Sequence, residues 1–167
     1  MRIFQIVPLI GFFGLAAALG GCGDGGSSTS NTTADARGVI ASASDCVSFG
    51  DEAVKACAAA IERAVASHEA SSQLFSNIED CAKTAGNNKC ERAASGKYRA
   101  KLSAFLVTIG SSTAAEPLYP TKDGEVGFQT ASKSKLLASD RSLSFSRLAL
   151  SVAESQADTG KRKRAKL

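Results

Sequence analysis

Along the chain the apolar positions first appear as a block: Ile3 to Leu19 carries no charge, follows Arg2, and gives way to Gly20 and Gly21. A short basic start, an apolar run and small residues in that order form a secretory signal. A membrane-spanning helix usually needs ~20 apolar residues, whereas this run is shorter and contains Pro8, Gly11 and Gly14. From Gly23 to Arg37 Gly, Ser, Thr, Asn and Asp dominate without apolar periodicity, as in a flexible tether.

A helical period then takes over. Val54, Cys57, Ala58, Ile61, Val65 and His68 recur on one face, with Glu52, Lys55, Glu62, Arg63 and Glu69 mostly opposite. Ile78, Cys81, Ala82 and Ala85 predict a shorter second helix, and Tyr98, Leu102, Phe105, Leu106 and Ile109 a third that stops before Gly110. Beyond Ser111 the period fades. Glu116 to Tyr119 and Glu125 to Thr130 read as short strands around the turn signal Asp123-Gly124. Lys135 to Ala138 and Leu143 to Leu150 read as a second hairpin, although Phe145, Leu148, Ala149 and Val152 also fit one helical face. The expected fold is mainly α: a small disulfide-stapled helical domain, then a short β-hairpin-containing extension, between disordered termini. The expected organisation is a signal peptide over 1–21, a tether over 22–37, a four-cysteine helical domain over 38–110, a strand- and turn-rich extension over 111–157, and a basic disordered tail over 158–167.

The cysteines give this scheme its chemistry. Leu19-Gly20-Gly21-Cys22 resembles the lipobox of bacterial lipoproteins, with a Leu three positions before the cysteine and two small residues between. That resemblance implies lipidation of Cys22, which becomes the new N-terminus. Multiple acyl chains make such anchoring stable. Gly23 follows the anchor instead of the Asp that retains lipoproteins in the inner membrane, so the outer membrane is favoured, facing the periplasm.

The remaining four, Cys46, Cys57, Cys81 and Cys90, are an even set in an oxidising compartment, which predicts two disulfides. Ser42 stands three residues before Asp45, and Ser76 three before Glu79, as in capping boxes at helix starts. Gly50 and Gly86 follow as helix terminators. These breaks favour local bridges, Cys46 to Cys57 and Cys81 to Cys90, over the nested pattern of Cys46 to Cys90 with Cys57 to Cys81. A four-thiolate metal site is the third reading, and it is disfavoured because zinc ligands usually come in pairs separated by ~2–4 residues. No metal and no cofactor are expected.

The cysteine frame resembles the YgiB-like family of uncharacterised bacterial envelope proteins. The resemblance rests on Asp45-Cys46, the Ala-rich helix after Cys57, Asp80-Cys81 with Gly86 before Cys90, Pro117-Leu118-Tyr119, and Gly127-Phe128-Gln129-Thr130. It implies an exported lipoprotein and supplies no catalytic residues. The chain departs from that pattern in lacking a Gly/Met-rich stretch and an Arg-Gly-Gly-Phe-Gly ending.

Composition narrows function further. Of 20 Lys and Arg, six are Arg2, Lys161, Arg162, Lys163, Arg164 and Lys166, so the remaining 14 face 16 acidic residues. A near-neutral body excludes a broad basic groove for nucleic acid. In an exported protein the basic tail instead suits contact with anionic lipid or wall polymers.

His68 is the sole histidine and ends an apolar helical stripe, where packing is the expected role. The chain has no G-x-S-x-G, no H-E-x-x-H, no phosphate loop and no C-x-x-C. Asp51-Glu52 and Glu79-Asp80 suit the positive ends of helices. The sequence therefore predicts a non-enzymatic, lipid-anchored envelope protein giving structural support. The alternatives are a binding module for an envelope protein or anionic polymer, and a thiol- or metal-dependent activity on the four cysteines.

Overall fold

Residues 104 to 107, Ala-Phe-Leu-Val, are four consecutive buried positions. A strand alternates its side chains between two faces, so a run buried at every residue requires cover on both. In the computed structural model this run belongs to β4, an inner strand of a six-stranded sheet. The structure describes residues 36–164 apart from Asp123, and for 158–164 the backbone alone. The leader, Cys22 and the tether as far as residue 35 lie outside the described residues.

The elements in chain order are β1 (Ala36–Ile40), α1 (Val54–Ser71), α2 (Ile78–Ala85), β2 (Cys90–Arg92), β3 (Tyr98–Ala100), β4 (Ala104–Ile109), β5 (Ala114–Pro120), β6 (Gly127–Gln129), β7 (Lys135–Leu137), β8 (Ser144–Phe145) and α3 (Arg147–Arg164). Two 3-10 segments, Ala43–Phe49 and Asp51–Ala53, lead into α1. The main sheet has the order β7-β6-β5-β4-β1-β8, and β2 with β3 forms a separate ribbon. All pairings are antiparallel except β1 with β8.

Each face of the sheet carries one long helix. Val39, Ala104, Leu106, Leu118 and Phe128 pack against Ala149 and Ala153 of α3. Ile40, Phe105 and Val107 point the other way and pack against Cys57, Ile61 and Ala64 of α1. Adjacent residues therefore serve opposite layers, the direct consequence of the two-residue period. The helices contribute small side chains and the strands large ones. Ala149, Ala153 and Ala157 lie four residues apart and are buried, so one stripe of α3 sits close to the sheet. This arrangement lets an alanine-rich chain fill its core.

Disulfides fix the ends of this scaffold. Cys46 is bonded to Cys57 and Cys81 to Cys90, the local pairing, so the nested alternative is absent. The first bridge ties the 3-10 segment to α1 inside the core. The second joins α2 to β2. Loops of 11 and 9 residues are closed, and restricting chains of that size in the unfolded state stabilises by about 3 kcal/mol each. Gly50 and Gly86 have φ of 95° and 104°, a region that glycine enters without steric cost, and each ends the helical segment before it.

The expectation of a mainly α domain is overturned: the fold is mainly β, organised by the six-stranded sheet. The third expected helix is β3 and β4. Tyr98, Leu102, Phe105, Leu106 and Ile109 do fall at helical intervals, but both faces of β4 are covered, so burial there carries no period at all. The expected boundary at 110/111 falls in the connection between β4 and β5, which pair from Ala104–Leu118 to Thr108–Ala114. The extension over 111–157 is thus part of the same sheet. Ala36 and Arg37, assigned to the tether, begin β1.

At the far end, Leu143 to Leu150 is not one strand. β8 stops at Phe145, and Ser146 starts α3, its hydroxyl accepting from the Ala149 amide at 3.0 Å. Helix α3 then continues to Arg164, through residues expected to be disordered. The capping expectations were also displaced: Ser42 caps nothing with its side chain, and Asn77, not Ser76, accepts from the Asp80 amide.

Phe128 is fully buried where α3 crosses the sheet. Phe128→Ala is expected to lower unfolding stability by about 3–5 kcal/mol in a urea titration. Leu148→Ala, at a side chain 44% exposed, is expected to change it by about 0.5 kcal/mol or less.

Candidate functional site

The C-terminal end of α1 is polar where the rest of its buried face is not. His68 is 2% exposed and follows Ala60, Ile61 and Ala64 along that face. A buried imidazole needs partners for both ring nitrogens. Nε2 lies 3.2 Å from Oε1 of Glu91 on β2, and Nδ1 lies 3.0 Å from the Tyr119 hydroxyl on β5 and 2.7 Å from Oγ of Ser72. With Nε2–H donating to Glu91, Nδ1 is an acceptor facing two hydroxyls. Ser72 also contacts the His68 carbonyl oxygen. One lone pair accepts one proton, so Tyr119 and Ser72 compete for Nδ1, and Ser72 has the carbonyl as a second acceptor.

Arg99 completes the cluster. It sits opposite Glu91 in the β2–β3 ribbon; its Nε donates to Glu91 Oε1 at 2.8 Å and its Nη2 donates to Glu69 Oε1 at 2.7 Å. Glu69 neighbours His68 on α1, so the ribbon is held to the helix through two successive residues. The hydrogen bond and charge of Arg99 hold the Glu69 carboxyl below its usual range, and the Glu69 hydrogen bond in turn raises Arg99 against the opposing effect of burial. Glu69 is about half exposed, so water screens that outer pair. The inner contacts around His68 are the better shielded ones.

A cleft of about 290 Å³ opens beside this cluster. Ser72 and Tyr119 belong to both: their oxygens bond to His68, and their side chains line the cleft. Gln73 and Phe75 follow Ser72 along one wall, Thr84 and Ala85 come from the end of α2, and Lys133 comes from the β6–β7 turn. Phase and position are fixed by the main chain. Phe75 forms a bridge with Tyr98, N to O at 2.7 Å and the return at 2.9 Å. The turn is closed by Lys133 N donating to Thr130 O and Thr130 N to Ser134 O, both at 3.0 Å. The Cys81–Cys90 bridge joins α2, on one wall, to the ribbon that carries Glu91.

Serine, histidine and glutamate in one chain of contacts invite comparison with a nucleophile, base and orienting acid. Here Ser72 Oγ is shared between His68 Nδ1 and a main-chain carbonyl, and the Tyr119 hydroxyl reaches the same Nδ1. The cluster as built joins α1, the ribbon and β5, and two of its residues, Ser72 and Tyr119, line the cleft.

Of the residues singled out in the sequence, Cys46, Cys57, Cys81 and Cys90 are all in disulfides. That removes the thiolates on which a thiol- or metal-dependent activity would rest. Among the described residues no group of three His, Cys, Asp or Glu is placed to hold a metal ion, and no helix is long and apolar enough to cross a membrane. Lys161, Arg162, Lys163 and Arg164 fall on the last turn of α3, while Cys22 and Lys166 lie outside the described residues.

His68 is packed, as its place in the stripe implied, but in polar company. Sequence reasoning missed Ser72, Glu91, Arg99, Tyr119 and the cleft. The available signal was the Gly96 turn between Cys90–Arg92 and Tyr98–Ala100, which marks a hairpin and sets Glu91 across from Arg99.

Burial pushes the Tyr119 phenol above its ordinary pKa of 10.0, opposed by its hydrogen bond with Ser72 and by Arg99. A value raised in the folded state favours the protonated form, so its stabilising contribution is complete below the unfolded pKa and is lost as pH rises through the folded one. Titration followed at the tyrosinate absorbance band should show a group ionising above pH ~10 that disappears in Tyr119→Phe. An unchanged titration curve in that variant would remove the buried phenol from the network.

A family model described as a protein of unknown function (DUF1190) matches residues 34–165. No curated protein and no solved structure matches the chain.

Proposed function

We propose that this chain, which belongs to the DUF1190 family of proteins of unknown function, is a non-enzymatic, lipid-anchored binding module of the bacterial cell envelope. The observation that carries the binding reading is the cleft at the α1–ribbon junction. Its walls are set by a disulfide, a main-chain bridge and a buried polar cluster, so its shape is formed in advance, and preorganisation lowers the ordering cost of binding. The small-molecule sites of proteins are concave and largely pre-formed in the same way, with a few placed polar groups.

The envelope assignment rests on the leader. Leu19-Gly20-Gly21-Cys22 supports lipidation of Cys22, and the likeness to the YgiB-like family supports export. Two disulfides are in keeping with an oxidising compartment. Gly23 after the anchor favours the outer membrane, facing the periplasm. The lysines and arginines from Lys161 to Lys166 suit a second, electrostatic contact with anionic lipid or polymer, which salt would weaken. The non-enzymatic reading is supported by the contact of Ser72 Oγ with the His68 carbonyl oxygen, which competes with Nδ1 for the hydroxyl proton.

Labelled palmitate should be incorporated by the wild-type chain and not by Cys22→Ser, and the variant should shift from the membrane to the soluble fraction. Labelling that persists in Cys22→Ser would sink the anchor.

A further inference from the structure

We infer that the cleft binds an uncharged, hydroxyl-rich ring, that is, one or two pyranose sugar units. This inference rests on the binding reading above and names its ligand class. Four features of the walls select it. The first is the density of hydroxyl and amide groups: Ser72, Tyr119 and Thr84 supply oxygens and Gln73 a side-chain amide. Each of the three hydroxyls already bonds within the protein, and its second lone pair, with the Gln73 amide, is hydrogen-bonding capacity that a lipid chain would not use. The second is the Phe75 ring, half-buried and pinned through its own main chain to Tyr98. A pyranose presents both C–H groups, which pack on an aromatic ring, and hydroxyls, which reach the amide and hydroxyls around it.

The third feature is electrostatic. The cleft is bordered by the C-terminal ends of two helices, α1 at Ser71 and Ser72 and α2 at Thr84 and Ala85. Helix C-termini carry the negative end of the dipole and unpaired carbonyl groups. They oppose phosphates and other multiply charged anions and favour ligands that donate hydrogen bonds, as sugar hydroxyls do. Lys133 on the rim is a single exposed cation and does not make an anion site of the cleft. The fourth is size. A volume of about 290 Å³ stands at the lower end of small-molecule sites, ~300 Å³, which admits one or two rings and not a long oligomer. Peptide augmentation is disfavoured as well, because Tyr119 sits on β5, an inner strand with both neighbours in place.

Wall glycan and other envelope saccharides share this chemistry, and the probes separate them. Calorimetry on the full chain in detergent would compare the N-acetylglucosamine disaccharide, maltose, and glucose 6-phosphate. A neutral disaccharide is expected to bind with Kd in the range of roughly 10 μM to 1 mM, and the sugar phosphate at least about tenfold more weakly. Preference for the acetylated disaccharide assigns the ligand to amino-sugar glycan; preference for maltose assigns it to plain hexose. Gln73→Ala and Phe75→Leu, both chosen to leave the packed core intact, are expected to weaken binding about fivefold or more. Val47→Ser, at an exposed site that does not line the cleft, should not.

Absence of binding by either neutral disaccharide at 10 mM-scale concentration (~10 mM, far above the expected range), or tighter binding of the phosphate, would overturn the sugar assignment. A photo-crosslinking amino acid at position 73, tested in intact cells, separates the two levels. Crosslinking to an envelope component without sugar binding leaves the binding reading standing and removes the sugar. Absence of both removes both.

Discussion

The constraint on which the rest of the structure depends is the burial of β4 on both faces. A strand covered on one side needs one apolar layer; a strand covered on two sides needs a helix for each. Val39 and Ile40 of β1 divide in the same way, one toward α3 and the other toward α1. Everything that varies along the chain is arranged around that requirement. The large strand residues Phe105, Leu106, Leu118 and Phe128 meet alanine-rich helix faces, so a composition with 44% hydrophobic but only 6% aromatic residues still fills a core.

Closure at the end of α1 is a different kind of interaction. There the helix runs out of small apolar residues and reaches His68 and Glu69, and the ribbon answers with Glu91 and Arg99. Buried polar clusters add little net stability when complete, but each member left without a partner is costly. The cluster therefore specifies one position of the ribbon relative to α1 and β5 more than it strengthens the fold. The cleft is a by-product of that position: its walls are the segments the cluster and the Cys81–Cys90 bridge hold apart.

Local signals were legible wherever the local chemistry was sufficient. Helices α1 and α2 were readable because one face of each is apolar and the other charged, and the local disulfides because Gly50 and Gly86 break the chain between each pair. The turn-flanked runs around Pro117, Phe128 and Leu136 showed as strands because each is short and bounded by turn residues. Where burial has no period, periodicity misleads. At β4 an accidental spacing imitates a helix, and over Leu143 to Leu150 a strand pattern runs across the Ser146 cap into the first turn of α3, where a helical face through Phe145, Leu148, Ala149 and Val152 fits as well.

The sequence by itself determined the leader pattern and the two amphipathic helices and favoured the local cysteine pairing, since each depends on residues close together in the chain. Only the tertiary structure decided that the fold is sheet-centred and that a site exists at all. Glu91 and Tyr119 are individually ordinary, and they meet His68 across separations of 23 and 51 residues. No local pattern records such a meeting. It is produced by strand order and by the layer that each residue faces, and those are properties of the packed chain.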